Sequence, residues 1–154
     1  MIAKQIGGSR GERRFALVGD EGDEVVASLR ELGGAEHVTG FFTGLGGLRE
    51  ATIAFWNPET KVYEPRDLRE QLEVAALTGS IALADDGPKV HAHIVVAGSD
   101  GRAYAGHLIR GVVRPTLELS FTESATVLRR VTDEATGLSL LRLSLATQGA
   151  GTEV

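Results

Sequence analysis

Apolar and polar residues alternate with a period of two along most of this chain, the pattern of half-buried β-strands. One stretch departs from it. Val25, Val26, Leu29 and Leu32 recur at helical spacing, with Asp20 as the expected N-cap and Glu21, Asp23 and Glu24 placing negative charge in the first turn. Gly33-Gly34 is the expected stop. Ahead of the helix, residues 1–10 read as a flexible, glycine-rich lead-in and Arg13–Val18 as a first strand.

Behind the helix the pattern is β throughout. His37–Thr43 leads through TGLGG into Leu48–Trp56. Gly44, Gly46 and Gly47 lack the Lys-Ser/Thr of a phosphate loop and the third glycine of a dinucleotide fingerprint, so they read as a bulge, bend or close backbone approach. Asn57-Pro58-Glu59-Thr60 turns one hairpin. Leu68–Ala82 predicts a long strand kinked at Gly79, and Asp85-Asp86-Gly87-Pro88 a turn without the pattern of a calcium loop. Gly111–Phe121, Ala125–Val131 and Ser139–Leu145 predict the remaining strands, before a disordered tail at 146–154. About eight strands and one early helix give an α+β domain over 11–145 with a mostly antiparallel sheet. Several strands are apolar on both faces, and one helix cannot cover them. Partial closure of the sheet into a barrel, or cover by a second subunit, is the expected solution.

The chemistry concentrates in Lys89–Leu119, which carries three of the four histidines. Ser99-Asp100-Gly101 is a three-residue turn in which Gly101 can adopt the left-handed conformation, and Gly98 then faces Arg102. That register sets His93 opposite His107. His91 and His93, two apart on one strand, leave the same face roughly 6.6–7 Å apart at Cα. A directly opposed residue joins them with its Cβ about 4.5–5.5 Å away. Three neutral imidazoles with an open fourth position suit zinc or a related divalent ion. A one-residue slip would turn His107 to the other face, and an H-x-H strand is also an ordinary half-buried sheet face. Gly106 leaves room beside His107 for a ligand or a neighbouring backbone.

Composition narrows the function classes. The 154 residues suit one domain, and with no cysteine the chain can form neither disulfides nor thiolate metal sites. No apolar run approaches a membrane span and no secretory leader is visible, so the cytoplasm is the expected location. The net charge of −5 disfavours DNA, whose binding rests on clustered Lys and Arg. Arg10, Arg13 and Arg14 are the one dense basic cluster and the candidate nucleic-acid contact.

The motifs TGLGGLREATIAFWNPETKVYE, LEVAALTGSIAL and HAHIVVAGSDGRAYAGHLIRGVVRPTLEL occur in an order and spacing that resemble the plants-and-prokaryotes conserved (PPC) domain family, over roughly residues 10–145. The resemblance implies an α+β fold, a homotrimer, and a metal site, zinc foremost, at His91, His93 and His107. In plants the domain follows an AT-hook that binds AT-rich DNA. This chain has no Arg-Gly-Arg-Pro hook, so a DNA-binding role would rest on fold analogy. The expected function is therefore an oligomeric binding module with a metal or small ligand, acting as a DNA-associated or regulatory protein. The alternative is a zinc-dependent hydrolase with Glu118 or Glu73 as a general base near the metal. No catalytic residue is assigned.

Overall fold

The computed structural model describes residues 1–143. The expected tail at 146–154, and the end of the strand expected to reach Leu145, lie outside the described residues. The elements in chain order are β1 (Ile2–Gly7), β2 (Arg14–Asp20), α1 (Val25–Ala35), β3 (Gly40–Asn57), β4 (Val62–Leu68), β5 (Leu72–Ala84), β6 (Gly87–Ala97), β7 (Ala103–Glu123), β8 (Arg129–Thr132) and β9 (Ser139–Arg142). All nine strands join one sheet. Every pairing is antiparallel except a single parallel bridge between Leu83 and Arg129.

The expected closure is present at the centre of the sheet. β3 pairs with β5, β5 with β6, β6 with β7, and β7 with β3, so these four strands close a ring. Side chains alternate along each strand, and one set fills the interior: Ala92, Ile94 and Val96 from β6, Leu77 and Ile81 from β5, and Leu108 and Phe121 from β7 are all buried. Closure buries the inner set as core, whereas on the outer face Val95 is half-buried and Ala75 and Ala76 are exposed.

Glycine permits the close strand approaches. A Cβ at Gly79 would meet the His91 carbonyl oxygen at 2.3 Å and Phe42 Cζ at 2.6 Å. The β3 glycines behave as expected, with the register shifting between Gly44 and Gly46 and Gly46 at φ +148°. Gly79, by contrast, marks close packing and not a kink; the shift in β5 falls between Val74 and Ala76. That strand also begins at Leu72, because Leu68 closes β4 opposite Ala51.

Four further expectations are corrected. Residues 2–7 are not a loose lead-in but an edge strand paired with β2. Ile2 and Ile6 are exposed, so with no buried face the strand leaves no apolar pattern to read. Helix α1 is capped by Glu24, whose carboxylate accepts from Val26 N (3.2 Å) and Ala27 N (2.7 Å); Asp20 ends β2 instead. Gly33 and Gly34 lie inside the helix. A Cβ at Gly33 would sit 2.7 Å from Ile81 and 3.1 Å from Pro88, so Gly33 is there to let the helix close onto β5 and β6. Finally, the third histidine strand and Gly111–Phe121 are one continuous 21-residue strand, β7, whose register against β3 shifts at Gly46/Leu48, Leu48/Glu50 and Thr52/Ile53.

Candidate metal centre

The Ser99-Asp100-Gly101 turn forms as its residues dictate. Gly98 N donates to Arg102 O and Gly101 N to Gly98 O, both at 3.0 Å, with Gly101 at φ +77°. Asp100 Oδ1 accepts from Arg102 N at 3.0 Å. The register that follows pairs His93 with His107. Because Ala92, Ile94 and Leu108 point inward, His91, His93 and His107 share the outer face of the ring.

There the rings converge. Their centroids are 5.3 Å apart for His91–His93, 5.0 Å for His91–His107 and 5.7 Å for His93–His107. One nitrogen from each lies within 4.8 Å of those of the other two. Gly106 lets the backbone of β3 approach, since a Cβ there would stand 2.9 Å from the Ala54 carbonyl oxygen. Tyr63 of β4 stacks on His107 with centroids 4.6 Å apart and planes at 24°. The β8–β9 hairpin covers the other flank and brings in Arg130, a buried side chain at 7% exposure.

Arg130 is anchored firmly. Nη1 donates to Ser139 O (2.8 Å), and Nη2 donates to Ser80 Oγ (2.9 Å) and His91 Nδ1 (3.2 Å). An arginine can only donate, so His91 Nδ1 is the acceptor. Burial foremost, then the Arg130 charge and His93, hold the His91 pKa below its ordinary value. Burial, reinforced by His91, His93 and Arg130, lowers that of His107 to about 4. Both rings are therefore neutral at physiological pH, the form that ligates metal.

The residues fit a divalent ion. The donors are three imidazole nitrogens from a rigid four-strand ring, and His107 Nδ1 is buried without a hydrogen-bond partner. An all-imidazole set matches zinc, copper, nickel or iron better than calcium or magnesium.

The other expected site residues stand elsewhere. Glu118 pairs with Val18 and Leu45, in a part of β7 eleven residues beyond His107, and Glu73 pairs with Gly47 and Ala97. Both lie well along their strands from the histidines of the same chain. Arg13 is bound in an ion pair with Glu123 at 3.0 Å and with Glu36 at 3.0 Å. Of the basic cluster only Arg10 and Arg14 remain exposed.

Sequence reasoning missed Arg130, Ser80 and Tyr63. The one signal was the alternation Leu128-x-Arg130, which places the arginine on the buried side of a short strand. Beside the histidines the site opens into a cavity of about 280 Å³, whose wall includes Trp56, Lys61, Tyr63, Lys89 and Arg130. A second hollow of about 310 Å³, bordered by Phe41, Thr78 and Leu141, lies on the other side of His91 and Arg130.

Among known proteins, the family model of the Plants and Prokaryotes Conserved (PCC) domain matches residues 7–125. A candidate DNA-binding protein from Bacteroides thetaiotaomicron superposes with a TM-score of 0.81 at 28% identity, over 92% of this chain and 96% of that one. A metal-containing protein from Archaeoglobus fulgidus does so with a TM-score of 0.78 at 28% identity, over 93% and 99%. The bifunctional protein GlmU of Synechococcus sp. (strain JA-3-3Ab) is 37% identical over 97 residues, which are 62% of this chain and 14% of that protein. The match thus spans only about a seventh of that curated relative.

Proposed function

The chain belongs to the Plants and Prokaryotes Conserved (PCC) domain family, and from that premise we propose that it is an oligomeric binding module built around a metal held by His91, His93 and His107. The observation that carries the reading is the cross-strand register of His93 with His107, which brings three ligand nitrogens within 4.8 Å on one face. Zinc is the metal the donor set suits best, with the fourth position open to an exogenous ligand. When bound, the metal supplies Lewis acidity and a point of attachment. The chain supplies orientation through Tyr63, which stacks on His107. The similar Archaeoglobus fulgidus protein that contains metal supports this reading.

Assembly as a homotrimer is part of the proposal. Phe41 and Leu45 stand 53% and 60% exposed, and Val18 and Leu45 border a shallow hollow of about 500 Å³ on a face that no helix covers. Such surface is expected beneath a second copy. Cytoplasmic location is proposed with it; among the described residues no helix is long and apolar enough to cross a membrane. DNA association is supported by the naming of similar proteins. It draws little support from this chain's own groups, given the net charge of −5 and the engagement of Arg13. The hydrolase alternative draws little support from Glu118 and Glu73, which lie well along their strands from the histidines of the same chain.

The test is elemental analysis of purified protein, stripped with chelator, exposed to zinc and dialysed. One zinc per chain in the wild type and none in His91→Ala, with sedimentation at trimer mass, is the expected outcome. A zinc content unaffected by the substitution overturns the site.

A further inference from the structure

Among the described residues, Arg130 is a buried cation without a counter-ion. None of the ion pairs among the described residues includes it, and its partners are a hydroxyl, a carbonyl and an imidazole nitrogen. An isolated buried charge is expensive, and natural sites compensate it. The adjacent cavity makes the imbalance larger. Its wall adds Lys61 and Lys89 at the exposed rim and, among the described residues, contains no Asp or Glu. The described residues that border the second hollow, beside His91 and Arg130, also include no carboxylate.

The unpartnered nitrogens point the same way. Trp56 Nε1, His107 Nδ1 and Arg130 Nε are the buried side-chain atoms without a hydrogen-bond partner among the described residues, and all three belong to residues of this one cavity wall. Two of them, on Trp56 and Arg130, can only donate. Buried donors in natural proteins are nearly always satisfied, and no group among the described residues accepts from these two. The rest of the wall combines Tyr63, Val90, Leu138 and Leu140 with Thr136, Gly137 and Ser139.

We propose that this cavity binds a small organic oxyanion, its carboxylate or phosphate head against Arg130 and the histidines and its apolar body between Trp56, Tyr63 and the β8–β9 hairpin. Carboxylate and phosphate share the required chemistry, an acceptor-rich negative head matched to a guanidinium. A volume of about 280 Å³ holds a molecule of roughly the size of a substituted benzene ring. The inference goes beyond the metal reading, because the cation set and the orphaned donors stand with or without an ion on the histidines.

The test is calorimetric titration of the full chain, zinc-loaded and chelator-stripped, with benzoate, phenyl phosphate and, as a control, benzylammonium. At least one of the two oxyanions is expected to bind saturably, tighter than about 1 mM, while benzylammonium does not. Benzoate and phenyl phosphate identify which head is preferred. Arg130→Gln is expected to weaken binding about tenfold or more. The exposed-rim variant Lys61→Ala/Lys89→Ala, which spares the core, is expected to weaken it severalfold and to reduce its salt dependence, and it keeps the test decisive should Arg130→Gln fail to fold. Binding of neither oxyanion, equal binding of the ammonium control, or affinity indifferent to both sets of variants overturns the proposal. Zinc uptake without oxyanion binding sinks this inference alone; oxyanion binding sensitive to Arg130 in protein that takes up no zinc sinks the metal reading alone.

Discussion

The guanidinium of Arg130 donates from Nη2 to Nδ1 of His91 across 3.2 Å, so a fixed positive charge holds the lone pair of one of three clustered imidazoles. With Nδ1 accepting, neutral His91 carries its proton on Nε2. A metal that takes this ring must either displace Arg130 from Nδ1 or displace the Nε2 proton. Arg130 therefore competes with the metal for His91 and also repels it.

Removing that competition has a sign. Arg130→Met is expected to tighten zinc binding, by about tenfold or more for a unit charge removed from roughly 5 Å at intermediate effective dielectric. A competitive chelator titration in buffer free of oxyanions measures it. Weaker binding in the variant would mean that Arg130 serves the site only by holding His91 in place.

The low His107 pKa gives metal-free protein a defined pH response. The ring's pKa is about 4 in the folded chain against an ordinary 6.5. Between those values the unfolded chain takes up a proton that the folded chain does not. Stability is therefore complete above pH 6.5 and falls as the pH drops toward 4, by on the order of 2–3 kcal/mol from this group. His91, shifted in the same direction, adds to the loss. Urea unfolding of stripped protein from pH 7.5 to 4.5 reads the slope, and His107→Phe, which keeps a ring on Tyr63, is expected to flatten it.

Arg13 is a structural residue. Its guanidinium donates to Glu123 from Nε and Nη2, both at 3.0 Å, and Glu123 also accepts from Gly11 N and Arg13 N. The pair is largely screened from water, the Glu123 side chain being 9% exposed. Arg13→Ala is expected to cost about 1–3 kcal/mol in chemical denaturation, because it leaves a mostly buried carboxylate without its cation. Arg10→Ala, an exposed change nearby, is expected to cost nothing measurable. A gel shift lost in Arg10→Ala while stability is unchanged would restore the basic cluster as a nucleic-acid contact.

Gly79 sits where β5, β6 and β3 press together beside His91. Gly79→Ala adds a carbon at 2.3 Å from the His91 carbonyl oxygen, against backbone that cannot yield cheaply. A loss of about 1–3 kcal/mol is expected, with weaker zinc binding as His91 shifts. Thermal unfolding and zinc titration of the same sample check both effects.

The sequence displays the histidine trio plainly because its determinants are local. A three-residue turn ending in Gly101 fixes the ladder, and a fixed ladder decides which side chains share a face. The same holds for the Asn57–Thr60 hairpin and the β3 glycines. What the sequence conceals is set by distant contacts. Arg130 reaches Ser80 and His91 across separations of 50 and 39 residues, and nothing near Arg130 in the chain announces either partner. Strand β1 is hidden for the opposite reason: its exposed face imposes no pattern on Ile2–Gly7. Strand membership fixes a residue's face but not how far along the ring it lies, so the sequence alone cannot position Glu118 and Glu73 relative to the histidines.

The convergence of three imidazoles on one face is the claim on which the rest depends, and zinc titration by calorimetry tests it most directly. Stripped wild-type protein and the His91→Ala, His93→Ala and His107→Ala variants are compared, each first shown to be folded by its far-ultraviolet spectrum. One site per chain in the wild type, with affinity falling about a hundredfold or more in every variant and unchanged in Glu118→Gln and Glu73→Gln, is the expected result. Zinc binding that survives all three histidine substitutions, or its absence from folded wild-type protein, contradicts it.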